Sequence, residues 1–206
     1  MSEPIGEIIE TSTTGFVAQA CELGMAPAFG AFVSVVSDGI ETFGLVYRVR
    51  TGGLEPGAHA VMRGRAGVRD DAIYHENPDL RAVLRTDFAA VIVGFAEHGH
   101  VRQYLPSYPP PLHWSVYECS PAAVAAFTNE LDYLRALLSA PDVPSEELVA
   151  ANLRLARQAR TFDSDFCVRA GRELARLLSR DYARLSAILR RLSLTPQTPI
   201  ELPHER

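Results

Sequence analysis

Up to residue 119 this chain carries short β-rich apolar runs, broken by a glycine- and charge-rich stretch over 54–85, and from residue 120 onward its apolar residues recur mostly every three to four residues. A strand presents successive side chains to opposite faces, whereas a helix returns to one face every 3.6 residues. The change of period therefore divides the chain into a β part and a helical part. Short β-rich runs separated by turn signals are the pattern of a small barrel or sandwich. The expected fold is α+β: a small N-terminal β-barrel over residues 1–119, then a C-terminal bundle of about three helices over 120–193. Residues 194–206 are proline-punctuated and polar, and are expected to be disordered.

The β runs are Ile5–Thr11, Gly15–Ala20, Phe32–Val36, Thr42–Arg50, Phe88–Phe95, Val101–Leu105 and His113–Tyr117. Asp38-Gly39 predicts a tight hairpin turn, and Glu97–His100 a second turn. Residues 54–85 are rich in glycine and charge and read as an insertion. Within it Asn77-Pro78 predicts a short helix to about Leu84, with Asn77 as its N-cap. Ser120-Pro121 opens the helical part, and Val124, Phe127, Leu131, Leu134, Leu137 and Leu138 form the apolar stripe of the first helix. Ser145 is expected to cap the second, with Leu148, Val149, Leu153 and Ala156 facing the core. A third begins near Ser164-Asp165 and continues, with a jog at Ser179–Asp181, through Leu192.

Composition removes several function classes. All 20 basic residues are arginine. Without lysine the chain has no P-loop lysine to reach nucleotide phosphates, and no Schiff-base or lysine general-base chemistry. Residues 1–144 carry 9 arginines against 17 carboxylates, a balance of −8. Residues 145–206 carry 11 against 8, a balance of +3. So acidic a front part opposes phosphate binding, and any nucleic-acid contact would fall to the helices. No apolar run reaches the roughly 18 residues of a membrane span, and the N-terminus lacks the basic and apolar regions of a secretory leader. The expected address is cytoplasmic, with no membrane partner. Cys21, Cys119 and Cys167 form no CxxC pair and read as buried free thiols.

The front part resembles the HAS-barrel, the N-terminal barrel of HerA-type helicases and of F- and V-type ATP synthase subunits. Ile5-Gly6-Glu7-Ile8-Ile9 returning through Phe16 resembles that family's first hairpin. Phe29-Gly30-Ala31-Phe32-Val33 and Phe43-Gly44-Leu45-Val46-Tyr47-Arg48-Val49 resemble its next two strands. Leu84–Phe88 with Val91 and Val93-Gly94 is similar to a later strand, and Pro109–His113 with Val116 to the closing segment. The whole chain looks like bacterial stand-alone HAS-barrel proteins with a helical C-terminal extension. In the family the barrel is not catalytic; it packs against neighbouring barrels in a hexameric crown or docks a partner. The resemblance implies a non-catalytic protein-interaction and assembly module, oligomerising or docking onto a separate HerA-like P-loop ATPase. No cofactor is expected.

The partner-interface candidates are Arg169, Arg172, Arg176, Arg180 and Arg184. On a continuous helix their spacing makes one positive stripe opposite the leucine face. Such a stripe is either a solvated surface, a dock for an acidic partner or this chain's own barrel, or a phosphate-backbone contact. The last gives the alternative function, a nucleic-acid accessory protein. His98 and His100 flank a turn glycine without a third ligand of matching spacing, so no metal site is expected. Cys119 with His113 lacks the surrounding pattern of a nucleophile and base. The proline- and aromatic-rich segment Tyr104–Trp114 reads as a cover over a barrel end, or, if exposed, as an aromatic docking surface.

Overall fold

The computed structural model describes residues 3–54, 60–65, 67–160, 163 and 165–192. The tail expected to be disordered lies outside these residues. Seven strands form one antiparallel sheet: β1 (Gly6–Thr11), β2 (Gly15–Ala20), β3 (Phe32–Ser37), β4 (Ile40–Gly53), β5 (Leu84–Glu97), β6 (His100–Arg102) and β7 (Ser115–Glu118). The order is β2-β1-β7-β3-β4-β5-β6, and a further ladder between β2 and β5 closes six of the strands into a barrel. β6 is a short hairpin arm on the end of β5. The expected α+β barrel is present.

The sequence explains how the sheet closes. Asp38 and Gly39 both have positive φ, 50° and 79°, as do His98 and Gly99, 50° and 78°. These are the left-handed pairs that join tightly turning strands. Register shifts at Ile8/Glu10, Phe43/Gly44 and Val46/Arg48 insert bulges that coil the sheet. Alternation then fills the interior. Ile8, Phe16, Val33, Val35, Phe88, Ile92 and Val116 meet in one buried cluster that draws on all six closing strands through Val46 of β4. The barrel interior is lined by buried apolar side chains.

The alternate residues point outward, and part of that outer wall is buried too. Phe32, Phe43, Leu45 and Val93 join a second core with side chains of the helical part. Its helices are α3 (Pro121–Phe127), α4 (Tyr133–Ser139), α5 (Ser145–Ala159), α6 (Phe166–Leu177) and α7 (Tyr182–Leu192), while α1 (Asp71–Glu76) and α2 (Leu80–Val83) lie in the insertion. Phe127 is at the centre. Its ring lies 5.2 Å from Phe32, 4.9 Å from Phe43 and 5.5 Å from Tyr133 between centroids. Barrel wall and helices thus share one hydrophobic core.

Several local expectations are corrected. The stretch read as one helix from Ser120 is two, because two side chains from elsewhere occupy the polar groups that a break exposes. Gln103 donates to the Phe127 and Glu130 carbonyls at 2.7 and 3.0 Å and accepts from the Tyr133 amide at 3.0 Å. Arg160 donates to the Ala125 carbonyl, the Thr128 hydroxyl and the Asn129 side chain. Satisfied in this way, the break costs little. Ser120 does cap α3, accepting from the Ala123 amide at 3.2 Å. Ser145 does not cap α5; it is that helix's first residue, and Pro144 holds the cap position. Asn77 caps the wrong way round from the expectation: its amide donates back to the Ile73 carbonyl at 2.9 Å, closing α1. β5 begins at Leu84 rather than Phe88, since the β4–β5 ladder runs to Gly53↔Leu84. No described helix is long and apolar enough to cross a membrane.

Candidate functional site

β7 is only four residues long and seals the barrel with two short ladders. Gly6↔Val116 and Glu7↔Ser115 join it to β1, and Val33↔Glu118 and Ser34↔Tyr117 join it to β3. Beyond Ser34 the β3–β7 ladder stops, although β3 continues to Ser37. A groove of about 710 Å³ opens on the outer wall there, walled by β7, β3, the start of β4 and Ala123 of α3. Val36, Trp114, Tyr117, Glu41, Glu118 and Ser34 are among its lining residues. Val36 is 53% exposed and Trp114 42% exposed. Glu41 and Glu118 make no ion pair among the described residues.

His113 and Cys119 both border this groove. His113 has φ 65° and its Nδ1 lies 2.7 Å from Glu7 Oε1. The Cys119 thiol is pushed up to about 12 by burial, opposed by a hydrogen bond from Ser34 and reinforced by the charges of Glu41 and Glu118. A thiol so shifted stays protonated at neutral pH and is a poor nucleophile. Cys21 and Cys167 are exposed, which corrects the expectation of three buried thiols. Iodoacetamide at pH 8 is expected to modify Cys21 and Cys167 readily and Cys119 at least about tenfold more slowly in the folded chain. Residue-resolved mass spectrometry checks this, and equal rates would refute it.

The segment before the groove straps the barrel end. Pro106 and Pro110 are buried, and Thr11 donates to the Pro110 carbonyl at 2.8 Å. Tyr104, Tyr108 and Trp114 project outward. The strap is both a cover, through its prolines, and an exposed aromatic surface.

The five arginines do not form one stripe, because α6 ends at Leu177 and the chain turns before α7 starts at Tyr182. Arg169 pairs with Asp163 at 3.0 Å and Arg176 with Glu173 at 2.5 Å. Arg184, on α7, binds Glu146 and Ser145 of α5 and the Leu138 carbonyl of α4. It latches helix to helix, not helix to barrel. Arg172 and Arg180 are exposed with no partner among the described residues.

Arg160, which the sequence reading passed over, is the more deeply set cation. Its side chain is 9% exposed, pairs with Asp163 at 2.8 Å and lies 5.1 Å over the Phe166 ring. Hydrogen bonds from Arg160 and then Arg169 hold the Asp163 carboxyl below its usual range. Glu146 is lowered by its own backbone amide and then by Arg184, and Glu173 by Arg176. A carboxyl lowered in the folded state stabilises above its unfolded pKa, and that contribution is lost as pH falls through the folded value. Acidification below about pH 4 is therefore expected to loosen α6 and α7 before the barrel. Faster amide exchange in 166–192 than in β3–β5 at low pH is the predicted readout. Uniform protection would refute it.

Among the described residues no group of three or more His, Cys, Asp or Glu is arranged to hold a metal ion. Fold and site together define a class: an α+β protein built on a closed six-stranded antiparallel barrel with helices packed against its wall and a groove open beside the first of them. Compared with protein-family models and with curated proteins, the sequence matches none.

The arginines were legible as spacing, but their partners were not. The groove left no trace in the sequence reading, which gave His113–Tyr117 as a strand of the same length as Phe32–Val36.

Proposed function

We propose that this chain is a non-catalytic protein-binding and assembly module whose outer barrel wall is the contact surface. One observation carries the reading. The barrel interior is filled with apolar side chains, whereas the groove across β7 and β3 opens outward and exposes Trp114 and Val36. Exposed aromatics in a concave wall are the composition of protein interfaces. The resemblance to HAS-barrels supports the same reading and suggests the partner: a second copy of this chain or a separate HerA-like P-loop ATPase, met in the cytoplasm.

Light scattering coupled to size exclusion tests this, on the chain alone and mixed with a HerA-like ATPase. An oligomer or a mixed complex is expected, weakened at least about tenfold by Trp114→Glu, in keeping with the cost of removing a central interface aromatic. A monomer forming no complex, or a complex indifferent to Trp114→Glu, would count against the reading.

A second reading, phosphate-backbone binding by the helical part, draws on the exposed and unpartnered Arg172 and Arg180. It is weakened by the carboxylates that already engage Arg169, Arg176 and Arg184. It predicts duplex binding that falls steeply with salt and disappears in Arg172→Glu/Arg180→Glu.

A further inference from the structure

We propose that β4, where it runs past the barrel, takes an acidic extended segment of a partner polypeptide. The segment adds a strand along residues 48–53 and sets its carboxylates on Arg48 and Arg50. None of residues 48–53 except Arg48 lies in any cavity of the wall, and none lines the β3–β7 groove, so the inference goes beyond the contact surface proposed above and is tested separately from it.

β4 outruns its neighbour on one side. β3 pairs with it over Ile40–Leu45, and the Gly30 and Ala31 main chain extends that contact to Val46, whereas β5 pairs with it as far as Gly53. Residues 48–53, about 20 Å of strand, thus have β5 on one side and, among the described residues, no paired strand on the other. Bonded and non-bonded levels alternate along an antiparallel ladder. The Leu54 amide bonds to the Val83 carbonyl, so Gly52↔Arg85 and Arg50↔Asp87 are bonded levels as well. Val49, Thr51 and Gly53 then turn their amides and carbonyls to the open side, where they make no main-chain hydrogen bond among the described residues. Val49 is 44% exposed beside them. Three successive open levels are a template for an added strand, the mode in which main-chain bonds give affinity and side chains give specificity.

Charge selects the occupant. Arg48 and Arg50 lie opposite Ala89 and Asp87, on the face of the sheet away from the interior residues Phe88 and Ala90. Their side chains therefore leave the same face, about 7 Å apart along the strand. The register shift at Val46/Arg48 sets Tyr47 beside Arg48, whose guanidinium lies 5.7 Å over the Tyr47 ring. Neither arginine has an anionic partner among the described residues, and Asp87 is engaged by Arg85 at 3.0 Å. Over 47–53 and 84–89 three arginines stand against one carboxylate, a local balance of +2 within an acidic front part. Exposed charges more than roughly 8 Å away are screened at physiological ionic strength, so the local excess decides what docks. A second copy is the wrong occupant: two-fold pairing on this margin brings four arginines onto one face of the joined sheet, and like charge on an edge opposes self-pairing. An acidic strand gains the same main-chain bonds and two ion pairs besides.

The test selects a displayed library of random heptapeptides against the full chain and titrates fluorescein-labelled copies of the enriched sequences by anisotropy. Enriched peptides are expected to carry Asp or Glu at alternate positions with β-branched residues between them. Arg48→Gln/Arg50→Gln should weaken them about fivefold or more, the effect of losing two exposed ion pairs. Val49→Pro should cost at least about tenfold, because it removes an amide from the open side and none from the β5 ladder. N-methylation of alternate peptide amides should cost as much in one register and little in the other, a readout that needs no variant of the protein. Trp114→Glu should leave these affinities unchanged. Selection without acidic enrichment, affinities untouched by either β4 variant, or equal effects of N-methylation in both registers would overturn the proposal. Loss of peptide binding in Trp114→Glu would move the site to the groove and overturn it too. If Val49→Pro instead dissolves a homo-oligomer and no peptide is enriched, the margin joins two copies and the inference fails.

Discussion

Replacing Phe127 by alanine is expected to destabilise the whole chain by about 4 kcal/mol, the cost of deleting a fully buried aromatic and leaving a cavity. The ring is 1% exposed and touches both sides of the molecule: Phe32 and Phe43 from the barrel wall, Tyr133 from α4. Because this cluster is continuous with the helical core, its loss should not merely release the helices from an intact barrel. Urea unfolding followed by far-ultraviolet dichroism, which weights the helices, and by Trp114 emission, which reports on β7, should give coincident transitions. Both should move down by roughly 1.5 M in the variant. If the Trp114 transition stays in place while the helical signal shifts, barrel and helices are separate folding units. The shared core would then contribute little coupling.

That coupling was the part of the fold least visible in the sequence. The period change near residue 120 located the boundary between sheet and helices, and Asp38-Gly39 located a hairpin, because both signals are local. In β3 the structure puts Val33 and Val35 in the barrel interior and Phe32 in the core shared with the helices, an assignment the sequence reading did not make. What alternation cannot say is whether the second face meets water or another layer. Phe32, Phe43 and Val93 face outward from the barrel, and only the docked helices explain why those positions are apolar. The break between α3 and α4 has the same origin. Val124 through Leu138 carries helical spacing throughout, yet Gln103 and Arg160, 24 and 32 residues from the break they stabilise, supply its hydrogen-bond partners. The candidate groove is a property of closure in the strict sense. It lies where the β3–β7 ladder stops at Ser34↔Tyr117 although β3 runs on to Ser37, a feature that no sequence motif announces.

Gly30→Ala is expected to be nearly as damaging as the loss of Phe127, and a paired control separates its two causes. Gly30 sits just before β3 with φ +87°, where any side chain is strained. A Cβ there would lie 2.8 Å from Ala151 Cβ and 2.8 Å from the Asn152 amide nitrogen of α5, closer than carbon atoms pack. The amide of Gly30 donates to Val46 at 2.7 Å, and its carbonyl accepts from the buried Asn152 side chain at 3.0 Å. Asn152 in turn accepts from the Tyr133 hydroxyl at 2.8 Å, a phenol whose ionisation burial pushes up. Neither partner can retreat without breaking a buried hydrogen bond, which adds to the steric cost. Gly39 offers the comparison: φ is +79°, and nothing lies within 4 Å of a Cβ placed there. Gly39→Ala should therefore cost backbone strain alone, about 1 kcal/mol, and Gly30→Ala that strain plus the clash, about 3 kcal/mol or more. Urea midpoints of the two variants measure the difference. Equal losses would mean that α5 does not press on the barrel at Gly30, and the close docking that makes this chain one unit would have to be abandoned.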